Sequence, residues 1–373
     1  MEKTVQMKKI AIIIPTLNIA GAEKLATSLA NEYSKKNETS IIVLFKSKGK
    51  DLKKQVNKEV KLIQLDKNNN IYSKLTLPFI LFKLIKKEKF NIIHTHLSTL
   101  FYLFPFAKLL NKKNIKIFHT IHNIAKKDAN KINQYTNNFL FKNKIATPVA
   151  ISEEIQKTVF ELYNYHSPVI HNGSYKAIKT DKFSETENTL LKLKTHRYKK
   201  IICSIARLTP QKNHNLLIEC AKERSDILFI CLGDWGVEEQ EYAKKIIESM
   251  RHTDNIKYIG VKNNVSDYLM LSDAIIFTSL YEGLPISLLE AISIGKPCIT
   301  TAVGGIPDLI TPECGYITSS INDKNSILSL IDKWQRDSED ELNKKKNILI
   351  NIFDKKFSIE NCANKYLTLF DKK

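Results

Sequence analysis

The sequence predicts an α/β protein of two doubly wound, Rossmann-like domains, and three observations carry that prediction. Short runs of Ile, Val, Leu and Phe alternate with helical stretches of about 10 to 15 residues, the pattern of parallel strands buried on both faces. The alternation pauses over one polar stretch and then restarts. A chain of 373 residues, 43% hydrophobic, is also too long for one ordinary core.

In chain order the first half runs through KKIAIIIP, GAEKLATSLANEYSKK, SIIVLFK, VKLIQL, LPFILFKLIKK, NIIHTH, IKIFHTIH, KIATPVAIS and SPVIHNG; the two long members are helices and the short β-branched ones strands. SYKAIKTDKFSETENTLLKLKTHRYKK has no strand signal and sets the joint near 174–197. The pattern resumes through IICSIARL, NHNLLIECAKER, ILFICLGD, IKYIGV, VSDYLMLS, AIIFTS, a helix bearing Glu290, PCITT and GYIT. The expected domains are 1–175 and 176–355. The terminal segment 356–373 carries Phe357, Ile359, Cys362, Tyr366 and Phe370 at helical spacing and is expected to cross back to brace the first domain. Doubly wound sheets bind ligands beyond the carboxyl ends of their strands, so the expected site is a cleft between two domains that face each other.

Composition narrows the classes. The six cysteines are scattered through the second half with no close pair, which suits packing in a reducing cytosol rather than a disulfide or metal framework. The apolar run after MEKTVQMKK is too short for a signal-peptide core, and no export is expected. LSTLFYLFPFAKLL, interrupted by Pro105 and Lys108, falls short of the roughly 20 residues of a spanning helix. Charge is asymmetric: residues 1–175 hold 29 Lys, no Arg and 12 Asp plus Glu, whereas residues 176–373 hold 29 Lys plus Arg against 27 acids. Diffuse Lys charge fits an anionic surface better than bidentate reading of bases. LPFILFKLIKKEKF and LFYLFPFAKLLNKKNIK mix apolar and Lys positions as an interface-lying helix would. Leu81, Phe82, Leu100 and Phe101 are read as core, so the attraction to an anionic membrane is expected to be electrostatic.

YEGLPISLLEAISIGKPCITT, residues 281–301, carries the most chemistry. Gly283 and Pro285 mark a turn, and Leu288, Leu289, Ile292 and Ile294 form a buried stripe that Gly295, Lys296 and Pro297 end. Glu282 then precedes a helix, and Glu290 lies about two turns inside it. At roughly 1.5 Å per residue the carboxylates stand on the order of 12 Å apart, with the free amides of the helix start between them. An anion site flanked by two hydroxyl acceptors suits a ligand with a sugar, a diphosphate and a ribose. IARLTPQKN places Arg207 at a strand end and Lys212 at a helix entry, cations suited to that diphosphate. Gly21, opening a helix after the first strand, allows close backbone approach. His94, His96, His119 and His122 lie on strands where alternate residues share a face; His122, last on its strand, is the one placed in the cleft. No metal is expected: no carboxylate lies near these histidines, and no DxD occurs. GxGxxG and GxxxxGK[ST] are absent, which removes the main support for dinucleotide and nucleoside-triphosphate readings.

Taken together these blocks resemble glycosyltransferase family 4 of GT-B fold over nearly the whole chain. AGAEK resembles that family's loop after the first strand, with one glycine where many members have two. NIIHTH, TIHN, VAISEEI, VIHNGS, IARLTPQKN, LGDWG and IKYIGV follow in the family's order, and EGLPISLLEAISIGKPCITTAVGGIPDLI resembles its Glu-x7-Glu signature. The resemblance implies retaining, metal-independent transfer of a hexose or N-acetylhexosamine from a nucleotide diphosphate sugar, uridine being preferred to guanosine, with no cofactor. By this likeness Glu290 accepts from the ribose, and Glu282 and His122 contact the donor sugar. Arg207 and Lys212 hold the diphosphate, the backbone of Gly283, Leu284, Pro285 and Ile286 completes its site, and Gly21 closes from the opposite domain. The departing phosphate takes the acceptor's proton, so Glu282 stabilises the donor and is not a nucleophile.

The expected setting is cell-surface polysaccharide synthesis on a glycan or lipid-linked acceptor, in the cytoplasm, peripheral at the inner face of the membrane. Two rivals are a nucleotide-sugar epimerase of the same architecture, which would isomerise donor alone, and a basic nucleic-acid-binding protein, which would call for Arg and aromatic clusters that the first half lacks.

Overall fold

The structure, a computed structural model, describes residues 7–47, 51–236 and 238–372. The first six residues of the MEKTVQMKK stretch therefore lie outside the described residues. The chain divides into two compact units, Met1–Ser174 with Lys356–Lys373, and Tyr175–Lys355.

The first unit is built from β1 (Lys9–Ile14), α1 (Gly21–Ser34), β2 (Glu38–Phe45), β3 (Val60–Lys67), α2 (Ile71–Glu88), β4 (Ile92–His96), α3 (Phe104–Lys112), β5 (Lys116–Ile121), α4 (Ala125–Asp128), α5 (Lys131–Lys142), β6 (Ala146–Ala150) and α6 (Glu153–Tyr163). Its six strands are parallel in the order β3-β2-β1-β4-β5-β6. The isoleucines of β1 are wholly buried, as a strand covered on both faces requires.

The second unit contains α7 (Phe183–Leu193), β7 (Lys200–Ile205), α8 (His214–Glu223), β8 (Ile227–Leu232), α9 (Gln240–Arg251), β9 (Ile256–Gly260), α10 (Val265–Leu271), β10 (Ala274–Phe277), α11 (Ile286–Ser293), β11 (Cys298–Thr301), β12 (Tyr316–Thr318), α12 (Lys324–Arg336) and α13 (Glu339–Ile352). Its order, β12-β11-β10-β7-β8-β9, repeats that of the first unit, so both are doubly wound and Rossmann-like. Alternate residues of β7 and β8 enter opposite cores: Ile202, Phe229 and Cys231 on one side, Cys203, Leu228 and Ile230 on the other. All six cysteines are free and buried.

The closing helix α14 (Ile359–Asp371) belongs to the first unit. Phe357, just before it, and Ile359, Cys362, Tyr366 and Phe370 are all buried. Tyr366 Oη lies 2.7 Å from Thr120 Oγ1 of β5, and Phe370 packs edge-on to Tyr33 of α1. At Gly173 a Cβ would fall 2.7 Å from Cys362 Cβ, so this close approach requires glycine.

Two expectations need correction. SPVIHNG is no strand; Val169 makes one isolated bridge to Ala150, and Pro168 has no N–H for a ladder. The polar joint holds no strand, as read; it contains α7, and Thr180 fixes it by donating from its N and Oγ1 to the buried Asp267 at 2.9 and 2.5 Å. Of the residues read as core, Leu81 and Leu100 are buried, but Phe82 and Phe101 are only partly so. Among the described residues no helix is long and apolar enough to cross a membrane.

Candidate active site

In the second unit the winding direction changes between β7 and β10, which lie side by side. Loops leaving such neighbours part to opposite sides and open a binding crevice at their carboxyl ends. Arg207 and Lys212 are on the loop after β7, and Glu282 to Pro285 are on the loop after β10, which enters α11 at Ile286. Hydrogen bonds tie the two loops: Leu280 N donates to Gln211 O at 2.8 Å, Gln211 Nε2 donates to Tyr281 O at 2.8 Å, and Thr278 Oγ1 lies 3.1 Å from the carbonyls of Lys212 and Asn213. Asn213 holds the left-handed backbone that turns the loop into α8.

Lys212 and Glu282, given separate duties by the sequence reading, are bonded to each other. Lys212 Nζ donates to Glu282 Oε1 at 2.5 Å, Ser279 Oγ donates to the same oxygen at 2.5 Å, and Gln211 Nε2 stands 3.5 Å from Oε2. Glu282 is 4% exposed, so its carboxylate is held by three donors in a place water hardly reaches. The charge of Lys212 is thereby largely answered. Arg207 is exposed and makes no ion pair among the described residues, so its charge is not answered by a carboxylate as that of Lys212 is. The Glu282 backbone is fixed as well: Gly305 N donates to Gly283 O at 2.7 Å, and Gly304, at φ +59°, has Glu282 O where a Cβ would stand.

α11 begins at Ile286 with Pro285 as its N-cap, no side chain capping it. Gly283 and Ile286 can offer amides to an anion; Pro285 has no N–H and contributes by fixing the entry angle. Ser287 Oγ donates to Ile205 O at 3.2 Å, pinning the first turn of this helix to the end of β7. Leu288, Leu289 and Ile292 are buried as expected, while Ile294 is half-buried. Gly295, at φ +65°, closes the helix: its N–H reaches Ile292 O and the Lys296 N–H reaches Ala291 O, the paired bonds of a Schellman end. The helix has eight residues, and Glu290, half-buried, stands four after Ile286. It lies one turn inside the helix, not two, because the turn through Pro285 occupies the preceding residues.

In the first unit Gly21 is exposed at the first position of α1, after an uncapped Ala20. His122 lies just beyond β5 rather than as its last residue. His94 and His119 are buried beside threonines, His94 Nε2 2.8 Å from Thr120 Oγ1 and His119 Nδ1 2.9 Å from Thr95 Oγ1. His96 differs: its Nδ1 lies 3.0 Å from His122 Nε2, and its own Nε2 is buried without a partner. Burial pushes the His122 imidazole down to about 4 and that of His119 to about 3, and holds His96 well below the usual range. Neutral rings at pH 7 allow one to donate and the other to accept. His122 N also donates to Asp128 Oδ1 at 2.8 Å, and burial pushes that carboxyl up to about 7 against the two backbone bonds it accepts. Asp128, Ser279 and Gln211 were not singled out from sequence, and His96 was named only as one of four strand histidines. The Ser279-Glu282 spacing was the one local signal available.

Two family models divide the chain. The Glycosyltransferase Family 4 model matches residues 19–174, and the Glycosyl transferases group 1 model matches residues 187–349. An Escherichia coli protein named UDP-Gal:alpha-D-GlcNAc-diphosphoundecaprenol alpha-1,3-galactosyltransferase is 27% identical over 310 residues, 78% of this chain and 74% of its own. The O-antigen biosynthesis glycosyltransferase WclY of Escherichia coli is 21% identical over 97% of this chain and 98% of its own. Among solved structures, Anabaena HepE in complex with UDP and glucose superposes with a TM-score of 0.80 at 17% identity, over 97% of this chain and 99% of that one. With both halves matched in order and the two Rossmann-like units in place, the chain belongs to glycosyltransferase family 4 and is a glycosyltransferase of GT-B fold.

Proposed function

We propose that the protein transfers a hexose or N-acetylhexosamine from a UDP-sugar, with retention and without a metal, to a lipid-linked glycan at the inner face of the cytoplasmic membrane during surface-polysaccharide synthesis. The observation that carries this reading is the buried Glu282 carboxylate, fixed by Lys212 and Ser279 just before the start of α11, with the exposed Arg207 on the same β7 loop as Lys212. A fixed acceptor for sugar hydroxyls thus adjoins cationic and amide donors for a diphosphate.

In the proposed step the bond between the anomeric carbon and the β-phosphate oxygen breaks. The acceptor oxygen bonds to that carbon on the same face, its proton passes to the departing phosphate oxygen, and UDP leaves. Arg207 and the α11 amides answer the growing phosphate charge, Lys212 holds the Glu282 carboxylate in place, and Glu290 accepts from the ribose. The UDP-galactose and diphosphoundecaprenol in the Escherichia coli relative's name, and the UDP and glucose of HepE, support a UDP-linked donor and a diphospholipid acceptor.

The test is a thermal-shift screen over nucleotide sugars, then transfer of the best donor to a polyprenyl-diphosphate N-acetylhexosamine with excess chelator. A ligand at 100 times its Kd adds about 2.7 kcal/mol to the folded state, a readable shift. Retained anomeric configuration and full activity under chelation are expected. Inverted product, or a rate that vanishes with chelator and returns with manganese, would overturn the reading.

A further inference from the structure

Burying apolar surface drives folding, so large apolar side chains left in water along neighbouring helices call for an occupant. Among the described residues of the first unit, eight of the ten exposed large hydrophobics fall on α2, α3 and α5. On α2, Tyr72, Leu75 and Phe79 are 74, 66 and 60% exposed; on α5, Ile132 and Tyr135 are 66 and 74% exposed, with Phe139 next. Both triplets have i, i+3, i+7 spacing, so each forms one stripe along its helix. The opposite faces, Leu77, Leu81 and Ile85 on α2 and Asn137 and Phe141 on α5, are buried, so the stripes are not misplaced core.

α3 joins the stripes. Phe106 stacks on Phe82 at 4.5 Å and meets Phe79 edge-on at 5.2 Å, whereas Phe104, two residues away, meets Phe139 at 5.6 Å. Residues two apart point to opposite flanks of a helix, so α3 lies between α2 and α5 and turns Pro105, Lys108, Leu109 and Lys112 outward. The result is one aromatic and apolar strip across three helices.

Charge identifies what covers it. The three helices contain eight lysines and a single acid, Glu88, which is paired with Lys61 at 2.6 Å. Lys83 and Lys86 continue the outward face of α2, and Lys142 continues that of α5. A second copy docked by a twofold axis would set these lysines against themselves, a repulsive arrangement. An anionic bilayer accepts both features: apolar side chains enter the boundary between headgroups and chains, and lysines meet the phosphates.

We propose that α2, α3 and α5 are the seat of this protein on an anionic bilayer, with Tyr72, Leu75, Phe79, Ile132 and Tyr135 inserted and the flanking lysines on lipid headgroups. This deepens the lipid-linked acceptor reading and changes one expectation: attachment is by insertion as well as charge, so raised salt should release only part of the protein.

The test is co-sedimentation of the full chain with vesicles of phosphatidylcholine, with and without about one-third phosphatidylglycerol, in 0.1 and 0.5 M salt and with no sugar donor or acceptor. Wild type should bind anionic vesicles and partly remain at high salt. Leu75→Ser/Phe79→Ser/Tyr135→Ser, all exposed positions, should bind at least tenfold more weakly and be released fully by salt. Lys83→Gln/Lys86→Gln/Lys108→Gln should bind at least tenfold more weakly in low salt. Transfer to a water-soluble acceptor should be unchanged in both, so loss of vesicle binding is separable from failure of the transferase reading. The proposal is overturned if wild type stays in the supernatant, if the serine variant binds like wild type, or if sedimentation velocity shows a dimer that this variant dissolves.

Discussion

Lys212→Ala should destabilise the second unit out of proportion to the contact it removes. The ammonium lies 2.5 Å from Glu282 Oε1, and the two side chains are 14 and 5% exposed. Removing one partner of a buried pair costs about 3–5 kcal/mol, against less than about 1 for an exposed pair. Because Lys212 retains some access to water, about 3 kcal/mol is expected. Glu282→Gln keeps an acceptor for Ser279 and leaves Lys212 able to reach solvent, so about 1.5 kcal/mol is expected. In the double variant no charge is stranded, and about 2.5 kcal/mol is expected, a coupling near 2 kcal/mol. Urea unfolding followed by tryptophan fluorescence measures this directly, because both tryptophans, Trp235 and Trp334, belong to the second unit and report that unit's transition. A cost below about 1 kcal/mol for Lys212→Ala, or a double variant as unstable as the sum of the singles, would refute the buried-pair argument.

Glu290→Ala should weaken UDP binding at least tenfold by calorimetry, about 1.4 kcal/mol, while Glu282→Gln should retain UDP and lose transfer. His96→Phe should lower kcat up to tenfold with UDP affinity unchanged, since it removes the 3.0 Å partner of the His122 ring, a bond worth about 1 kcal/mol; an unchanged kcat would free His122 from that control. Asp128→Asn should gain stability over wild type as pH rises. The folded carboxyl, raised from 3.8 to about 7, binds its proton more tightly than the unfolded one. Its contribution is therefore whole below about pH 4 and is lost through pH 7, by at most about 4 kcal/mol. Urea unfolding at pH 5 and 8, followed by circular dichroism, should show the difference widening; a pH-independent difference would exclude the titration.

Much of the fold was legible because its signals are local. Continuous apolar runs such as AIII and ILFICL can only be strands covered on both faces, and Gly295 before Lys296-Pro297 marks a helix end that the structure closes with the expected pair of bonds. α9, α12 and α13 were passed over because their surfaces are mostly charged and their buried residues few: Ala243, Ile246 and Met250 on α9, and Leu349 alone on α13. The bonds of the candidate site were not legible in the sequence. Arg207, Lys212, Glu282 and Glu290 could each be picked out by type and spacing, yet Lys212 and Glu282 are seventy positions apart, and only the adjacency of β7 and β10 makes them partners. That adjacency alters the chemistry assigned to each. A lysine already bonded to a buried glutamate brings little net charge to a phosphate, so in the proposed reaction the electrostatic weight at the diphosphate falls on Arg207 and the start of α11, and the proposed role of Glu282 toward a sugar hydroxyl draws on its fixed orientation. The same limit applied to the lysine-rich half. Composition revealed its charge, but whether Phe79 and Tyr135 face water or core depends on which side of α2 and α5 meets the sheet, and that is settled by Leu77, Leu81 and Phe141 being buried instead.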